Sequence, residues 1–190
     1  MLRVLYHPAF AKLFAAQIVA LLGTGLLTVA LGLLAYDLAG EKAGAVLGTA
    51  LTIKMIAYVG VAPVANALTV RLSRKAVLIA TDLVRAGIAL ALPFIDAVWQ
   101  IYVLIFLLQT ASATFAPAFQ ATIPDILEDE ADYTRALSLT RLAYEIENLV
   151  SPTLAAILLT VMSYHGLFGG TVLGFIGSTL LIAFTVLPKY

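Results

Sequence analysis

The 190-residue chain has no cysteine, two histidines and one tryptophan. Without cysteine it can form neither a disulfide nor a thiolate metal site. Charged residues are also scarce, at 12% of the chain against roughly 25% in soluble domains. Acidic and basic residues balance to a net charge of zero, which gives no indication of a nucleic-acid partner.

Catalytic motifs are equally sparse. His7 and His165 both lie near the ends of predicted helices, and the chain has no G-x-S-x-G nucleophile motif. The acidic loop near residue 129 lacks the regular ligand and glycine spacing of a calcium site, and there is no phosphate-binding glycine loop. We therefore expect no enzyme, no metal site and no cofactor, and no direct use of ATP.

What the chain does contain is apolar sequence in long continuous runs. Hydrophobic residues make up 62% of it and the mean hydropathy is +1.03. A membrane-spanning helix needs about 20 apolar residues, and continuous rather than alternating runs favour helices over a β-barrel. The sequence predicts an all-α membrane protein, with residues 1–190 forming a single six-helix transmembrane domain. The predicted spans are 8–36, 43–69, 76–95, 99–123, 133–164 and 167–187.

Lysine and arginine are distributed unevenly between the two ends of these spans. If the N-terminus is cytoplasmic, Lys42 alone lies outside, and Trp99 and Tyr102 lie at the outer interface, which aromatic rings favour. The basic residues at or near the inner ends are then Arg3, Lys12, Arg71, Arg74, Lys75, Arg135 and Lys189. The positive-inside rule therefore predicts that both termini are cytoplasmic.

Two predicted inner loops carry opposite charge. "VRLSRK" contains Arg71, Arg74 and Lys75, whereas "PDILEDEADYTR" contains several acids, the first of which is Asp125. One interpretation is a solvated charged face, with acids favoured near the start of the fifth helix. The other is a cytoplasmic ionic latch, which needs several pairs because exposed pairs contribute only about 0–1 kcal/mol each.

Lys54 is an unusual residue in the second predicted helix, because it lies within the apolar run "LTIKMIAYVGVAP". At about 1.5 Å per residue it lies roughly 16 Å from the outer end. Glu145 and Glu147 lie roughly 18–21 Å from the inner end of the fifth helix, near the same depth. An ionisable residue at this depth favours a functional role and needs a partner or water.

Helical spacing separates the two carboxylates. One polar stripe of the fifth helix is formed by Ser138, Arg141, Glu145, Asn148 and Pro152, and another by Tyr144, Glu147 and Ser151. Glu145 can pair with Arg141 at i and i+4, so we favour Glu147 as the partner of Lys54, with Glu145 as the alternative. The alternatives are that the Lys54 pair is structural, or that Lys54 extends into a wet cavity.

Further polar and aromatic residues recur at helical spacing on the first and fourth predicted helices. The cavity-lining candidates are Gln17, Thr24, Thr28, Gln109, Ser112, Phe115 and Phe119. The alternative is that their amides and hydroxyls only join helices, at roughly 0.6 kcal/mol each.

Several of these segments together resemble the major facilitator superfamily, in its drug:proton antiporter-like branch. "NALTVRLSRK" resembles that family's basic loop, G-x-x-x-D-R-x-x-R-[RK], with Asn66 and Val70 in place of its Gly and Asp. "TDLVRAGIALALP", "ASATFAPAFQATIPDIL" and "ADYTRALSLTRLAYEIENLVSPTLAA" resemble its third, fourth and fifth helices. Ser151 and Pro152 begin "SPTLAA", which resembles the antiporter motif G-P-x-x-G-G, and the preceding Gly position of that motif falls on Glu147. Pro152 removes a backbone hydrogen bond and can bend the helix.

The resemblance covers the first half of a twelve-helix family and implies two inverted three-helix repeats. It implies that helices one, two, four and five contribute to a central path, and that the loop between helices two and three takes part in gating. The resemblance also implies a charge network between helices that includes the loop Asp of the family motif, which is Val70 here. Asp82 and Arg85, near the inner end of the third predicted helix, can replace part of that network. A local ion pair is the alternative.

The expected function is secondary active transport by alternating access, with proton-coupled efflux of small amphipathic or hydrophobic solutes. Coupling would use Lys54, Glu147, Glu145, Arg141 and Asn148. The expected partners are membrane lipid, a small-molecule substrate and a second six-helix half in the same chain, a homodimer or a separate chain, with no nucleic acid. The expected location is the bacterial inner membrane. The alternative is a truncated membrane scaffold or assembly partner that does not transport.

Overall fold

The computed structural model describes residues 2–187, so Lys189 lies outside the described residues. Within that range the regular structure is helical, with no strand. The α-helices are α1 (Pro8–Ala39), α2 (Ala43–Ile56), α3 (Ala62–Thr69), α4 (Arg74–Ala91), α5 (Val98–Ile126), α6 (Glu130–Leu158) and α7 (Tyr164–Ala183).

The second predicted span consists of α2 and α3, joined by a π-helical turn over Ala57–Val61. Here the backbone N–H of Ala62 donates to the carbonyl oxygen of Ala57, five residues earlier. Pro63 follows at the start of α3. Because proline has no N–H and its ring crowds the preceding turn, an ordinary α-turn is disfavoured here. The wider π turn keeps the helical path continuous.

By length and composition, four helical segments of the described chain are able to cross a membrane. They are Pro8–Thr69, which contains two of the predicted spans, Arg74–Phe94, Val98–Ile126 and Tyr164–Ala183. α6 is not among them because Arg141, Glu145 and Glu147 lower its apolar character. α6 also ends at Leu158, earlier than the predicted 164, and α7 begins at Tyr164 after a turn at 159–163.

The packing centres on two helices, α1 and α5. α1 packs against α7 and α6, α5 packs against α4 and α2, and α4 and α7 pack against each other. One core cluster includes Leu34, Ile101 and Phe168, and a second includes Phe10, Leu78 and Phe119. α2 and α6 each pack against α1 and α5, and much of the rest of their surface is exposed beside the cavity.

Candidate functional site

A cavity of about 500 Å³ lies between the helices. Its polar and aromatic lining residues are Gln17, Thr24 and Thr28 from α1, Lys54 from α2, Tyr58 from the π turn, Arg85 from α4, Gln109, Ser112 and Phe115 from α5, Tyr144, Glu147, Asn148, Ser151 and Pro152 from α6, and Phe175 from α7. Apolar lining residues include Leu21, Leu47 and Ile105. The cavity therefore combines apolar walls with a small number of polar groups, as small-molecule sites do.

A single face of α6 borders the cavity. Tyr144, Glu147, Asn148, Ser151 and Pro152 recur at three- and four-residue spacing and all line it. Glu147 therefore faces the same cavity as Lys54. Asn148 and Pro152 share this face, although spacing alone had grouped them with Glu145.

The other two ionisable candidates of α6 lie elsewhere. Arg141 and Glu145 are exposed and do not line the cavity. Among the described residues no ion pair joins them. The local pair on α6 is instead Arg135 with Asp132, at 3.0 Å.

The position of Glu147 depends on the absence of a side chain at Gly25 of α1. A Cβ atom at Gly25 would overlap the side chain of Ser151 and Oε1 of Glu147. Glycine therefore allows α1 and α6 to approach closely and leaves space for the carboxylate. The hydroxyl oxygen of Ser151 is buried beside it without a hydrogen-bond partner.

Lys54 is exposed along the side of the cavity. Its Nζ lies 5.9 Å from the centroid of the Tyr58 ring, within the range of a cation–π interaction. Within the described chain no ion pair joins Lys54 to Glu147 or Glu145. The structure therefore places Lys54 and Glu147 in one cavity without direct contact.

A second charged group is buried between α4, α5 and α7, and its Arg85 also borders the cavity. Asp82 is 0% exposed and Arg85 5% exposed, and the Arg85 guanidinium donates from Nη2 to Oδ1 of Asp82. The Ser178 hydroxyl donates to Oδ2 of the same carboxylate at 2.6 Å. Arg85 is eleven residues beyond the start of α4 at Arg74, about 16 Å along the helix. The sequence had grouped this pair with the inner loop, whereas it lies deep in the helix bundle.

Two aromatic rings enclose the Arg85 guanidinium. Its Cζ lies 4.4 Å from the Phe115 centroid and 4.5 Å from the Phe175 centroid. Cation–π attraction stabilises a desolvated guanidinium by about 2 kcal/mol or more. Its Nε is nevertheless buried without a partner among the described residues, as is Oε1 of Gln17 on α1. Leaving such a buried group unpaired costs about 1–3 kcal/mol.

The loop residues at the predicted inner end form a separate set of contacts. Arg74 pairs with Asp125, and its Nη1 donates to the carbonyl oxygen of Ala121 at 2.8 Å. Lys75 donates to the carbonyl oxygen of Thr185 at 2.9 Å, just beyond α7. Lysines at the C-terminal end of a helix complement its dipole and bind its free carbonyls. Arg71 is exposed and forms no ion pair with the described residues.

Most of the remaining lining candidates do border the cavity. Thr24 and Thr28 both line it, and their hydroxyls donate within α1. The Thr24 hydroxyl donates to the carbonyl oxygen of Ala20 at 3.0 Å, and the Thr28 hydroxyl donates to the carbonyl oxygen of Thr24 at 3.1 Å. Phe119 is different, because it is 3% exposed and lies in a core cluster rather than along the cavity. It lies one turn beyond Phe115, where α5 packs against Phe10 and Leu78.

Sequence reasoning missed Tyr58, Phe175 and Ser178. Phe175 and Ser178 lie on α7, a helix without charge that the resemblance placed away from the central path. A signal for Tyr58 existed, since it follows Lys54 by four residues and so shares its helical face. Nothing in the local sequence of α7 indicates that Ser178 meets a carboxylate of α4, because that contact depends on helix packing.

Comparison with known proteins agrees with this architecture. The chain matches the Major Facilitator Superfamily over residues 13–190. It is 25% identical over 185 residues to macrolide efflux protein A of Streptococcus pyogenes, covering 95% of this chain and 45% of that protein. It is 25% identical over 153 residues to macrolide efflux protein A of Enterococcus faecalis, covering 75% of this chain and 47% of that protein. It is also 26% identical over 106 residues to the uncharacterised MFS-type transporter YfiS of Bacillus subtilis, covering 56% of this chain and 25% of that protein.

The chain belongs to the major facilitator superfamily, as its sequence segments had indicated. Its apolar helices and this membership make it an integral membrane protein. The chain spans about half the length of the curated relatives that it matches over most of its residues.

Proposed function

We propose that this chain acts as the N-terminal six-helix half of a secondary transporter that exports small amphipathic or hydrophobic solutes by alternating access. The observation that carries the proposal is the cavity of about 500 Å³, which has apolar walls and holds Lys54 and Glu147 together. Two relatives are efflux proteins by name, which supports export as the direction of transport.

The helix packing supports an arrangement of two inverted three-helix repeats. A pseudo-twofold axis would exchange α1 with α5, α2 and α3 with α6, and α4 with α7. It would convert the α1–α7 packing into α5–α4 and the α1–α6 packing into α5–α2, and all four contacts occur. The α4–α7 contact maps onto itself. Lys54 and Glu147 then occupy the two equivalent helices.

Proton coupling is assigned to Glu147, with Glu145 as the alternative. Protonation of Glu147 would cancel its attraction to Lys54 across the cavity, and the loss of that attraction would favour a different arrangement of α2 and α6. Because Glu147 lines the cavity and Glu145 does not, the geometry favours Glu147.

Proteoliposomes with an imposed pH gradient test this assignment. The protein, assembled with its second half, should drive uptake of a fluorescent amphipathic solute into proteoliposomes whose lumen is more acidic than the medium. We expect Glu147→Gln to lose gradient-driven flux while retaining exchange without a gradient, and Glu145→Gln to behave as the unaltered protein. Full proton-driven flux in Glu147→Gln would exclude that residue as the coupling site.

The second half, as a continuation of the chain, a second copy or a separate chain, would cover the open sides of α2 and α6. Leu51, Met55 and Val59 form an exposed apolar stripe on one side, and Leu149 is exposed on the other. Because the chain has no cysteine, Met55→Cys and Leu149→Cys allow crosslinking without background. A crosslinked partner in cells, together with flux, supports a transporter. A crosslinked partner without flux under any gradient would favour the scaffold alternative.

Orientation can be measured with the same cysteine-free background. In the proposed location, a bacterial inner membrane with both termini cytoplasmic, Lys42→Cys faces outward and Arg71→Cys inward. A membrane-impermeant maleimide added to intact spheroplasts should label the first and not the second. The reverse labelling would invert the topology.

A further inference from the structure

The closed end of the cavity has a chemical character that differs from the open side near Lys54. Gln17 and Arg85 both line it and are 3% and 5% exposed. Each holds a buried polar atom without a partner, the acceptor Oε1 of Gln17 and the donor Nε–H of Arg85. Ala20, one turn from Gln17, packs in one cluster with Ala86 and Phe175, so the two side chains approach the same region from α1 and α4.

Neighbouring side chains already contact part of Arg85. The Phe115 and Phe175 ring centroids lie 4.4 and 4.5 Å from Cζ of its guanidinium, and Nη2 is already bound to Asp82. Among the described residues, Nε–H of Arg85 is the buried guanidinium donor that has no acceptor. A single oxygen atom is sufficient to accept from it.

The charge at this end of the cavity is already balanced. Asp82 neutralises Arg85, and Ser178 satisfies the second carboxylate oxygen. An anionic ligand would add an uncompensated negative charge to a buried site, which is costly. A neutral group is therefore favoured over a carboxylate or a phosphate.

We propose that Gln17 and Arg85 form a subsite for a neutral hydroxyl group of the transported solute, beside the Phe115 and Phe175 rings. The hydroxyl hydrogen is donated to Oε1 of Gln17, and the hydroxyl oxygen accepts from Nε–H of Arg85. The solute's apolar body extends along the apolar wall toward Leu21 and Leu108. This inference rests on the proposed function, because it names the class of solute that the cavity admits, namely hydroxylated amphipathic molecules.

Three matched probes test the subsite in the full chain reconstituted in lipid nanodiscs. They are naphthylmethanol, its methyl ether and naphthoate, titrated by naphthalene fluorescence with empty nanodiscs subtracted. The ether keeps the apolar body and an acceptor oxygen but has no hydroxyl donor, and naphthoate replaces the neutral group with a charge. We expect the alcohol to bind about fivefold to tenfold more tightly than the ether, the effect of one hydrogen bond. Naphthoate should bind more weakly than the alcohol.

Gln17→Leu removes the acceptor at nearly constant volume, and Gln120→Leu removes an exposed amide of α5 that does not line the cavity. The alcohol preference should fall to about one in Gln17→Leu, with the ether's affinity within about twofold of its original value, and should persist in Gln120→Leu. Equal binding of alcohol and ether by the unaltered chain, tighter binding of naphthoate, or a preference unchanged in Gln17→Leu would overturn the subsite and leave the solute cavity in place. Binding of no probe by the unaltered chain would overturn the subsite together with the solute cavity.

Discussion

Two regions hold charge inside the helix bundle, and they do so in different ways. Asp82 and Arg85 are enclosed between α4, α5 and α7, where each ion has a charged partner and Phe115 and Phe175 cover the guanidinium. Lys54 and Glu147 face the open cavity from α2 and α6 and are not in contact. A charge that is enclosed must be paired, whereas a charge beside a water-accessible space can remain apart from its partner.

The difference follows from helix packing. α4 packs against α5 and α7, and α7 also packs against α1, whereas α2 and α6 leave one side exposed. The enclosed pair is therefore suited to fixing the relative position of helices, with Arg85 also bordering the cavity, and the open pair is suited to responding to protons.

Breaking the enclosed pair should have the largest effect on stability. Asp82→Ala leaves Arg85 buried without its counter-charge, which costs about 3–5 kcal/mol in the free energy of unfolding. The double variant Asp82→Leu/Arg85→Met removes both charges and should recover most of that loss. Unfolding in detergent, followed by circular dichroism, measures both. Equal destabilisation by the single and double variants would contradict an ion-pair origin of the effect.

The close approach of α1 and α6 at Gly25 should be the next most sensitive feature. Gly25→Ala places a methyl group against Ser151 and Glu147, and such overpacking costs about 1–3 kcal/mol. Gly32→Ala on the same helix meets nothing within 4 Å and should instead stabilise by roughly 0.5–1 kcal/mol through helix propensity. Thermal unfolding of the two variants should therefore shift in opposite directions. A shift of the same sign in both would show that α1 and α6 are not in close contact there.

The Arg74–Asp125 pair is partly exposed, so its contribution should be smaller. Asp125→Asn is expected to reduce stability by about 1 kcal/mol or less, and the loss should shrink at high salt. Arg71→Gln, which removes a cation that forms no ion pair with the described residues, serves as the control and should change little. Denaturant titrations at low and high ionic strength make the comparison. A loss that is independent of salt would indicate packing rather than charge.

Removing the open-side cation should have the least effect on stability. Lys54→Met deletes an exposed charge that forms no ion pair within the described chain, so unfolding should change by about 0.5 kcal/mol or less. The same variant should impair gradient-driven flux, if Lys54 acts through Glu147. Unfolding and flux assays on one preparation separate the two effects. A destabilisation comparable to that of Asp82→Ala would show that Lys54 stabilises the fold.

Much of the fold could be predicted from the sequence, because apolar runs in a membrane leave helices as the ordinary solution. The helix starts at Pro8, Ala43 and Val98 lie at or next to the predicted ones. Helical spacing separated Glu147 from Glu145, but it grouped Asn148 and Pro152 with Glu145, whereas they line the cavity with Glu147. The partnership of Ser178 with Asp82, and the burial of Phe119, depend on which helices meet and at what angle. Those contacts join residues far apart in the chain, so local periodicity contains no information about them.

The π turn at Ala57–Val61 has a consequence for comparing this chain with its relatives. A π turn holds about one residue more than an α turn, so the helix beyond it is rotated by roughly 100° relative to a regular helix. A relative whose second helix is straight should therefore align with a one-residue gap at this turn. If the gap is placed elsewhere, Lys54 or Tyr58 will be aligned with a residue from another face of the relative's helix. Cavity residues that the two proteins share will then look different in the alignment.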